Sequence, residues 1–125
     1  MSKQSFIVVG LGFGDEGKGT TVDALTKKYN AELVVRYNGG AQAAHNVITD
    51  NGIHHTFAQF GSGTFHGAKT LLSKYVYVNP YSMLIEAKLL SNKGVNNPLN
   101  IVFVDENCLV TTIYHIYANR IKEFL

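Results

Sequence analysis

The chain alternates short apolar runs with amphipathic stretches, and each pattern predicts an element. "SFIVVG" (5–10) is apolar, rich in β-branched residues and stopped by glycine, so it reads as a buried strand. "KGTTVDALTKKY" (18–29) sets Val22, Leu25 and Tyr29 at helical spacing. Glu32 to Tyr37 reads as a second strand. Strand, glycine loop, helix, strand opens a βαβ unit with a parallel sheet. After the loop "NGGAQAAHN", the stretch 47–57 reads as a hairpin whose Asn51-Gly52 provides the positive φ angles of its turn. "KYVYV" (74–78) is another strand. "NPYSMLIEAKLLSNKG" (79–94) is a helix with Asn79 at the cap, Pro80 at the first position and Gly94 at the exit. "LNIVFVDE" (99–106) is a strand, apolar throughout its body. A last helix (111–125) sets Ile113, Ile116, Tyr117, Ile121 and Phe124 on one face. The chain stops inside that helix, and local signals leave a frayed terminus and a chain cut from something larger equally open.

Composition narrows the class. With 46% hydrophobic and 16% charged residues, the chain is globular and not disordered. A length of 125 residues suits one domain, here 1–125. A net charge of +2 is too small to argue for nucleic acid or a membrane surface as partner. The single cysteine, Cys108, excludes an intrachain disulfide and a multi-cysteine metal site, and fits a reducing compartment. No apolar stretch approaches the roughly 18 residues of a membrane span, and the N-terminal apolar run is too short for a signal peptide. The expectation is a soluble, cytoplasmic protein.

The chemistry concentrates in "GLGFGDEGKGTT", Gly10 to Thr21. Gly12 to Gly17 fits GxGxxG, and Gly12 to Lys18 fits the opening of a phosphate loop, with Gly19 where Ser or Thr is usual. Small residues there let backbone N–H groups approach an anion, and the helix N-terminus adds partial positive charge. A dinucleotide site wants an acid about 20 residues further on, where Arg36 and Tyr37 stand. Lys18 favours phosphate. The pattern therefore predicts an α/β fold: a phosphate-loop-like domain with a mostly parallel sheet flanked by helices, plus a β-hairpin.

Asp15 and Glu16 oppose that purpose. Two like unit charges about 4 Å apart repel by about 4 kcal/mol at an effective dielectric of about 20. Asp15 thus needs a compensating role, either binding Mg²⁺, which reverses the local sign, or accepting a proton as a general base. For Glu16 a simpler reading serves: an acid in the first turn suits the helix dipole.

These residues resemble a known family. "GFGDEGKG", then "VVRYNGG", then His45, are similar to the N-terminal region of the adenylosuccinate synthetases. "FGSGTF" and "VYVNPYSMLIEAKLL" fit the next segment of that family, and "VDENCLVTTIYHIYANR" the one after, so the resemblance covers nearly the whole chain. It implies a GTP-dependent purine nucleotide ligase, joining IMP and L-aspartate to give adenylosuccinate, GDP and phosphate, in AMP biosynthesis. It implies that Asp15 is the base and His45 the acid. GTP contacts would fall on Gly14, Asp15, Glu16, Gly17, Lys18, Gly19, Thr20, Ala44, His45 and Asn46. IMP contacts would fall on Asp15, Glu16, Gly17, Lys18, Gln42, Ala43, Ala44 and His45. Mg²⁺ would sit on Asp15 and the Ala44 carbonyl, and a homodimer is implied as well.

The chain also departs from the family. Gln42 stands where the family has an asparagine facing the purine, Ala44 at a glycine, and Phe13 at a tryptophan. These mark a divergent branch. Family members are much longer, with the guanine-reading and aspartate-binding elements beyond the position of Leu125, so the resemblance implies an N-terminal part; aspartate would bind only with the remainder supplied. A non-catalytic nucleotide-binding or interaction module, and a small dinucleotide-binding domain, stay open beside it.

Other polar residues carry quieter expectations. His54 and His55 fall on opposite strand faces. His66 reads as a solvated loop residue and His115 as structural. Arg36 and Asn38 suit either phosphate contact or a turn. Tyr75, Tyr77 and Tyr81 read as core and rim. Asp105-Glu106 ends a strand where phosphate-loop proteins often hold Mg²⁺, a role the family resemblance does not give it.

Overall fold

The computed structural model describes residues 4–12 and 14–123. Its elements are α1 (Lys18–Tyr29), β1 (Leu33–Gly39), β2 (His45–Ile48), β3 (His54–Phe57), β4 (Lys69–Val78), α2 (Pro80–Asn92), β5 (Val102–Val104), β6 (Leu109–Val110) and α3 (Ile113–Glu123). β4 is the centre of the sheet and pairs in parallel with β1, β5 and β6. β2 and β3 form a separate antiparallel hairpin with His45 opposite Phe57. The architecture is α/β, a mostly parallel sheet with a hairpin beside it. No helix of the described residues is long and apolar enough to cross a membrane.

Local chemistry explains the helix ends. The Asn79 side chain accepts the Ser82 N–H at 3.1 Å, and Pro80 follows it as the first helical residue of α2. Gly94, at φ +92°, ends that helix in the left-handed region. β4 then divides its residues by face: Thr70, Leu72, Val76 and Val78 are buried. Leu72, Val76 and Val78 pack with Met83 of α2, Val102 and Cys108. Val47 and Phe57 of the hairpin, Phe60, and Ala87 and Leu90 of α2 make the second cluster. Full burial of a Phe, Leu or Val side chain contributes about 1.5–3 kcal/mol, so these clusters bind hairpin, helix and sheet into one unit.

Several sequence expectations are corrected. Residues 5–10 join no strand: Ile7 is 89% and Val9 66% exposed. A strand exists only through its ladder partner, which no local pattern specifies, and this run has none; Phe6 stacks instead on Tyr29, ring centroids 4.5 Å apart. The hairpin turn uses one positive φ, at Gly52 (+81°), and not at Asn51. Thr49 accepts the Gly52 N–H and donates to the Ile53 carbonyl, so the loop is longer than a two-residue turn. β4 begins at Lys69 and not Lys74, β5 is only Val102–Val104 after a 3-10 turn at Pro98–Ile101, and β6 was not foreseen. Tyr75, Tyr77 and Tyr81 are half or more exposed and contribute no core. α3 forms as predicted, yet none of its described residues is buried. Phe13, Phe124 and Leu125 lie outside the described residues.

Candidate functional site

α1 starts behind two glycines in conformations that L side chains avoid, Gly14 at φ +107° and Gly17 at φ +72°. Gly17 occupies the N-cap with no side chain capping the helix. The Asp15 carboxylate accepts the Gly17 N–H at 3.3 Å. Gly19, inside the first turn, is buried and lies against His45 and Asn46 of β2. The absent Ser or Thr of a standard phosphate loop is thereby explained: β2 passes where its side chain would go. Thr20 reaches across the same contact, its hydroxyl donating to the Asn46 carbonyl at 3.4 Å.

This packing gathers residues from two loops. A cavity of about 360 Å³ is lined by Gly14, Asp15, Glu16, Lys18, Gln42, Ala43, Ala44 and His45. Gly17, Gly19, Thr20 and Asn46 lie beside it and do not line it. Asp105 is in a turn, accepting the Asn107 N–H at 2.9 Å, and Glu106 is likewise not in the lining. His45 is half-buried, and desolvation first, then Arg36 and Lys18, lower its pKa below 6.5. The neutral imidazole is favoured, which donates through one ring N–H.

Glu16 departs from the helix-dipole reading. Its carboxylate accepts the Gly12 N–H and pairs with the Lys18 ammonium. These contacts, Lys18 foremost, hold the carboxyl below the ordinary glutamate value. A β-carbon at Gly10 would overlap that carboxylate. Glu16 therefore engages two donors of the loop with the loop's own anion.

Asp15, with its carboxylate, and Ala44, with its backbone carbonyl, both line one cavity. Both are hard oxygen donors of the kind Mg²⁺ takes. Among the described residues no three His, Cys, Asp or Glu side chains gather as a metal cage, so a cation here would share its shell with a ligand's oxygens.

A second, larger cleft of about 500 Å³ is lined by Asp23, Lys27, Asp50, His66 and Lys93 among others. His66 is exposed, as expected, at the end of a short 3-10 turn (Thr64–His66), with its Nε2 3.0 Å from Asp23 Oδ1. Lys27 pairs with Asp50, and Lys93 donates to the His54 carbonyl at 2.6 Å. No α-helix N-terminus lines this cleft, so its greater size alone does not recommend it for phosphate. His54 is exposed and His55 buried, on opposite faces as expected. His115 accepts the Thr112 N–H at 3.0 Å at the start of α3.

Two functional candidates were misjudged or unread in the sequence. Arg36 is buried and touches backbone carbonyls, Ala43 among them, so it is neither a phosphate contact nor a simple turn residue. Glu86 drew no attention on α2, yet it is buried and accepts N–H groups of residues 58–60. A carboxylate on the apolar side of a helix was the available signal.

Comparison with known proteins agrees with this picture. The family model of adenylosuccinate synthetase matches residues 7–124. The adenylosuccinate synthetase of Francisella philomiragia is 35% identical over 120 residues, covering 95% of this chain and 27% of that protein. That of Borrelia duttonii is 34% identical over 118 residues, covering 94% of this chain and 26% of that protein. The chain thus spans about a quarter of the length of these relatives. The fold is shared with the fully ligated adenylosuccinate synthetase of Plasmodium falciparum, at a TM-score of 0.76 and 20% identity over 89% of this chain and 25% of that one. With a glycine loop, its two acids, Lys18 and His45 in one cavity and the family model matched almost end to end, the chain belongs to the adenylosuccinate synthetase family.

Proposed function

We propose that residues 1–125 form one nucleotide-binding unit supplying the purine- and phosphate-handling part of a GTP-dependent ligase. The overall reaction is IMP, L-aspartate and GTP to adenylosuccinate, GDP and phosphate. The observation that carries this reading is the convergence of Asp15, Lys18, Gln42 and His45 on one cavity at the start of α1. Asp15 takes the proton from N1 of the IMP ring. The 6-oxygen then attacks the γ-phosphorus of GTP, and GDP leaves. His45 donates a hydrogen bond to the moving phosphoryl group. Lys18 and the amides of Gly14, Gly17 and Gly19 offset its charge, which in phosphoryl transfer is the larger part of catalysis. The amine of L-aspartate finally displaces phosphate from carbon 6.

Asp15 and the Ala44 carbonyl would hold Mg²⁺, which supplies neutralisation of phosphate charge when bound. Glu16 must release Gly12 and Lys18 for an incoming phosphate to use them. The amide of Gln42 reads the purine. The same reading assigns the chain to the cytoplasm and to a homodimer.

The test is the thermal midpoint of the chain with and without GTP, IMP and Mg²⁺. A ligand at about a hundred times its dissociation constant stabilises the fold by roughly 2.7 kcal/mol. Turnover is then assayed with the remaining three-quarters of a relative added in trans. A midpoint indifferent to every nucleotide, with no turnover on complementation, rejects the reading. One observation favours a second reading: Glu16 engages the loop's own donors, which suits a non-catalytic interaction module. That reading requires Asp15→Asn to leave the chain's cellular role unchanged, so a growth defect from this one change would exclude it.

A further inference from the structure

Arg36 leaves β1 on the buried side of the sheet and is 7% exposed. A charge in that position is costly unless its donors are matched. Here they are. Nη1 donates to the carbonyls of Phe60 at 3.2 Å and Phe57 at 3.4 Å, and Nη2 to the carbonyl of Ala43 at 2.8 Å. The opposing charge is Glu86 of α2, itself 4% exposed. Its carboxylate accepts the N–H groups of Ala58 at 3.1 Å, Gln59 at 2.6 Å and Phe60 at 3.3 Å. The segment 57–60 is therefore held by its carbonyls from one side and its amides from the other. That leaves the guanidinium fixed, with its shortest bond directed at Ala43.

Ala43 is a lining residue of the candidate cavity, and the next two residues, Ala44 and His45, line it too. Between the glycines of the 39–40 turn and the first rung of the hairpin, this stretch has few other anchors. The Ala43 N–H donates to Gly40 within its own turn. Among the described residues, the Arg36 bond is the one hydrogen bond that ties residues 40–44 to the protein's core.

We propose that Arg36 is a positioning residue of this site: its buried guanidinium, set by the 57–60 segment and Glu86, fixes the Ala43 carbonyl and so presents Ala44 and His45 to Asp15 and Lys18. The role in nucleotide binding rests on the reading of the cavity given above; the placement of the loop does not. A lysine cannot replace it, since a single ammonium lacks the planar fork that spans carbonyls on two segments.

The experiment compares the wild-type chain with Arg36→Lys, using ¹³C-methyl alanine labelling and calorimetric titration with GTP and Mg²⁺. The expected result is that the Ala43 and Ala44 methyl signals shift or broaden, while Ala68 and Ala87 in the core keep theirs. GTP should bind roughly tenfold more weakly, the scale of one lost charged hydrogen bond. Unmoved Ala43 and Ala44 signals overturn the proposal. So do signals that move equally at all four alanines, because Arg36 then only holds the core. A local shift with unchanged GTP affinity also overturns it. A wild-type chain that binds no GTP and gives no turnover on complementation defeats the ligase reading, and the methyl signals alone then decide whether Arg36 places the loop. If Arg36→Lys does not fold, the wild-type guanidinium decides: slowly exchanging Nη–H signals with cross-peaks to Ala43 support the proposal, and rapidly exchanging ones overturn it.

Discussion

Gly19 lies so close to His45 that a β-carbon at position 19 would sit 2.7 Å from the His45 Cβ and 3.1 Å from the Asn46 carbonyl oxygen. The first turn of α1 and the first rung of the hairpin thus share one contact. Gly19→Ser, which restores the usual phosphate-loop sequence, should for that reason damage the protein. Neither neighbour can swing aside, since one contact is backbone and the other a β-carbon. Overpacking of this kind costs about 1–3 kcal/mol. Urea unfolding of Gly19→Ser should show that loss, with weaker nucleotide binding as His45 is pushed from Lys18. An unchanged urea midpoint would show that β2 yields easily there.

What the residues revealed in advance divides along the same line between local and distant causes. α2 was legible because Asn79, Pro80 and Gly94 state its ends within the helix itself. The glycine loop was legible because Gly14, Gly17 and Lys18 form one contiguous run. β6 was not, since two residues become a strand only by meeting Tyr77 and Val78. Residues 5–10 were misread for the opposite reason: an apolar, β-branched run is suited to a sheet, but a ladder needs a partner. The first half of β4 was hidden by Lys69, Ser73 and Lys74, which break the apolar run on its exposed face. Arg36 was misjudged because its partners, the carbonyls of Ala43, Phe57 and Phe60, are brought to it only by folding.

Glu16 answers why a phosphate loop carries a second acid. Its carboxylate engages the Gly12 N–H and the Lys18 ammonium, the donors that the proposed phosphate site would use. Glu16→Gln should bind inorganic pyrophosphate several-fold more tightly, because the neutral amide is a poorer partner for Lys18. The pH dependence carries the sign. A carboxyl depressed below 4.5 keeps its ion pair above that value and loses it as pH falls through the folded pKa. Below that range the wild type and Glu16→Gln should converge in pyrophosphate affinity. Equal affinity of the two at neutral pH would mean that Glu16 does not compete for the loop.

Cys108 offers a separate check on the sheet. Its thiol donates to the Ser73 carbonyl at 2.9 Å. Burial first, and the nearby Asp105 carboxylate second, push its pKa above 9.0. The thiolate is the reactive form, so alkylation by iodoacetamide should be slow at neutral pH and rise only beyond pH 9.0. Asp105→Asn removes one of the raising charges and should speed alkylation at any fixed pH below that rise. Fast labelling of the folded wild type at neutral pH would contradict the packing of Cys108 beneath β4.

The sheet shows its other face to solvent. Leu33, Val35 and Tyr37 of β1, Tyr75 and Tyr77 of β4, and Phe103 of β5 are each about half exposed. The opposite face carries the core residues Leu72, Val76 and Val78. Parallel sheets are ordinarily covered on both faces, and contiguous apolar surface of this kind drives association. The chain should therefore self-associate at micromolar concentration, seen as a mass in sedimentation velocity that rises with loading. The paired substitutions Val35→Lys and Phe103→Lys should suppress that association. They should change stability little, because neither side chain belongs to the buried clusters and exposed sites usually tolerate substitution within about 0.5 kcal/mol. If the double variant associates as the wild type does, the contact lies elsewhere, and the exposed Ile113, Tyr114 and Tyr117 of α3 become the next surface to charge.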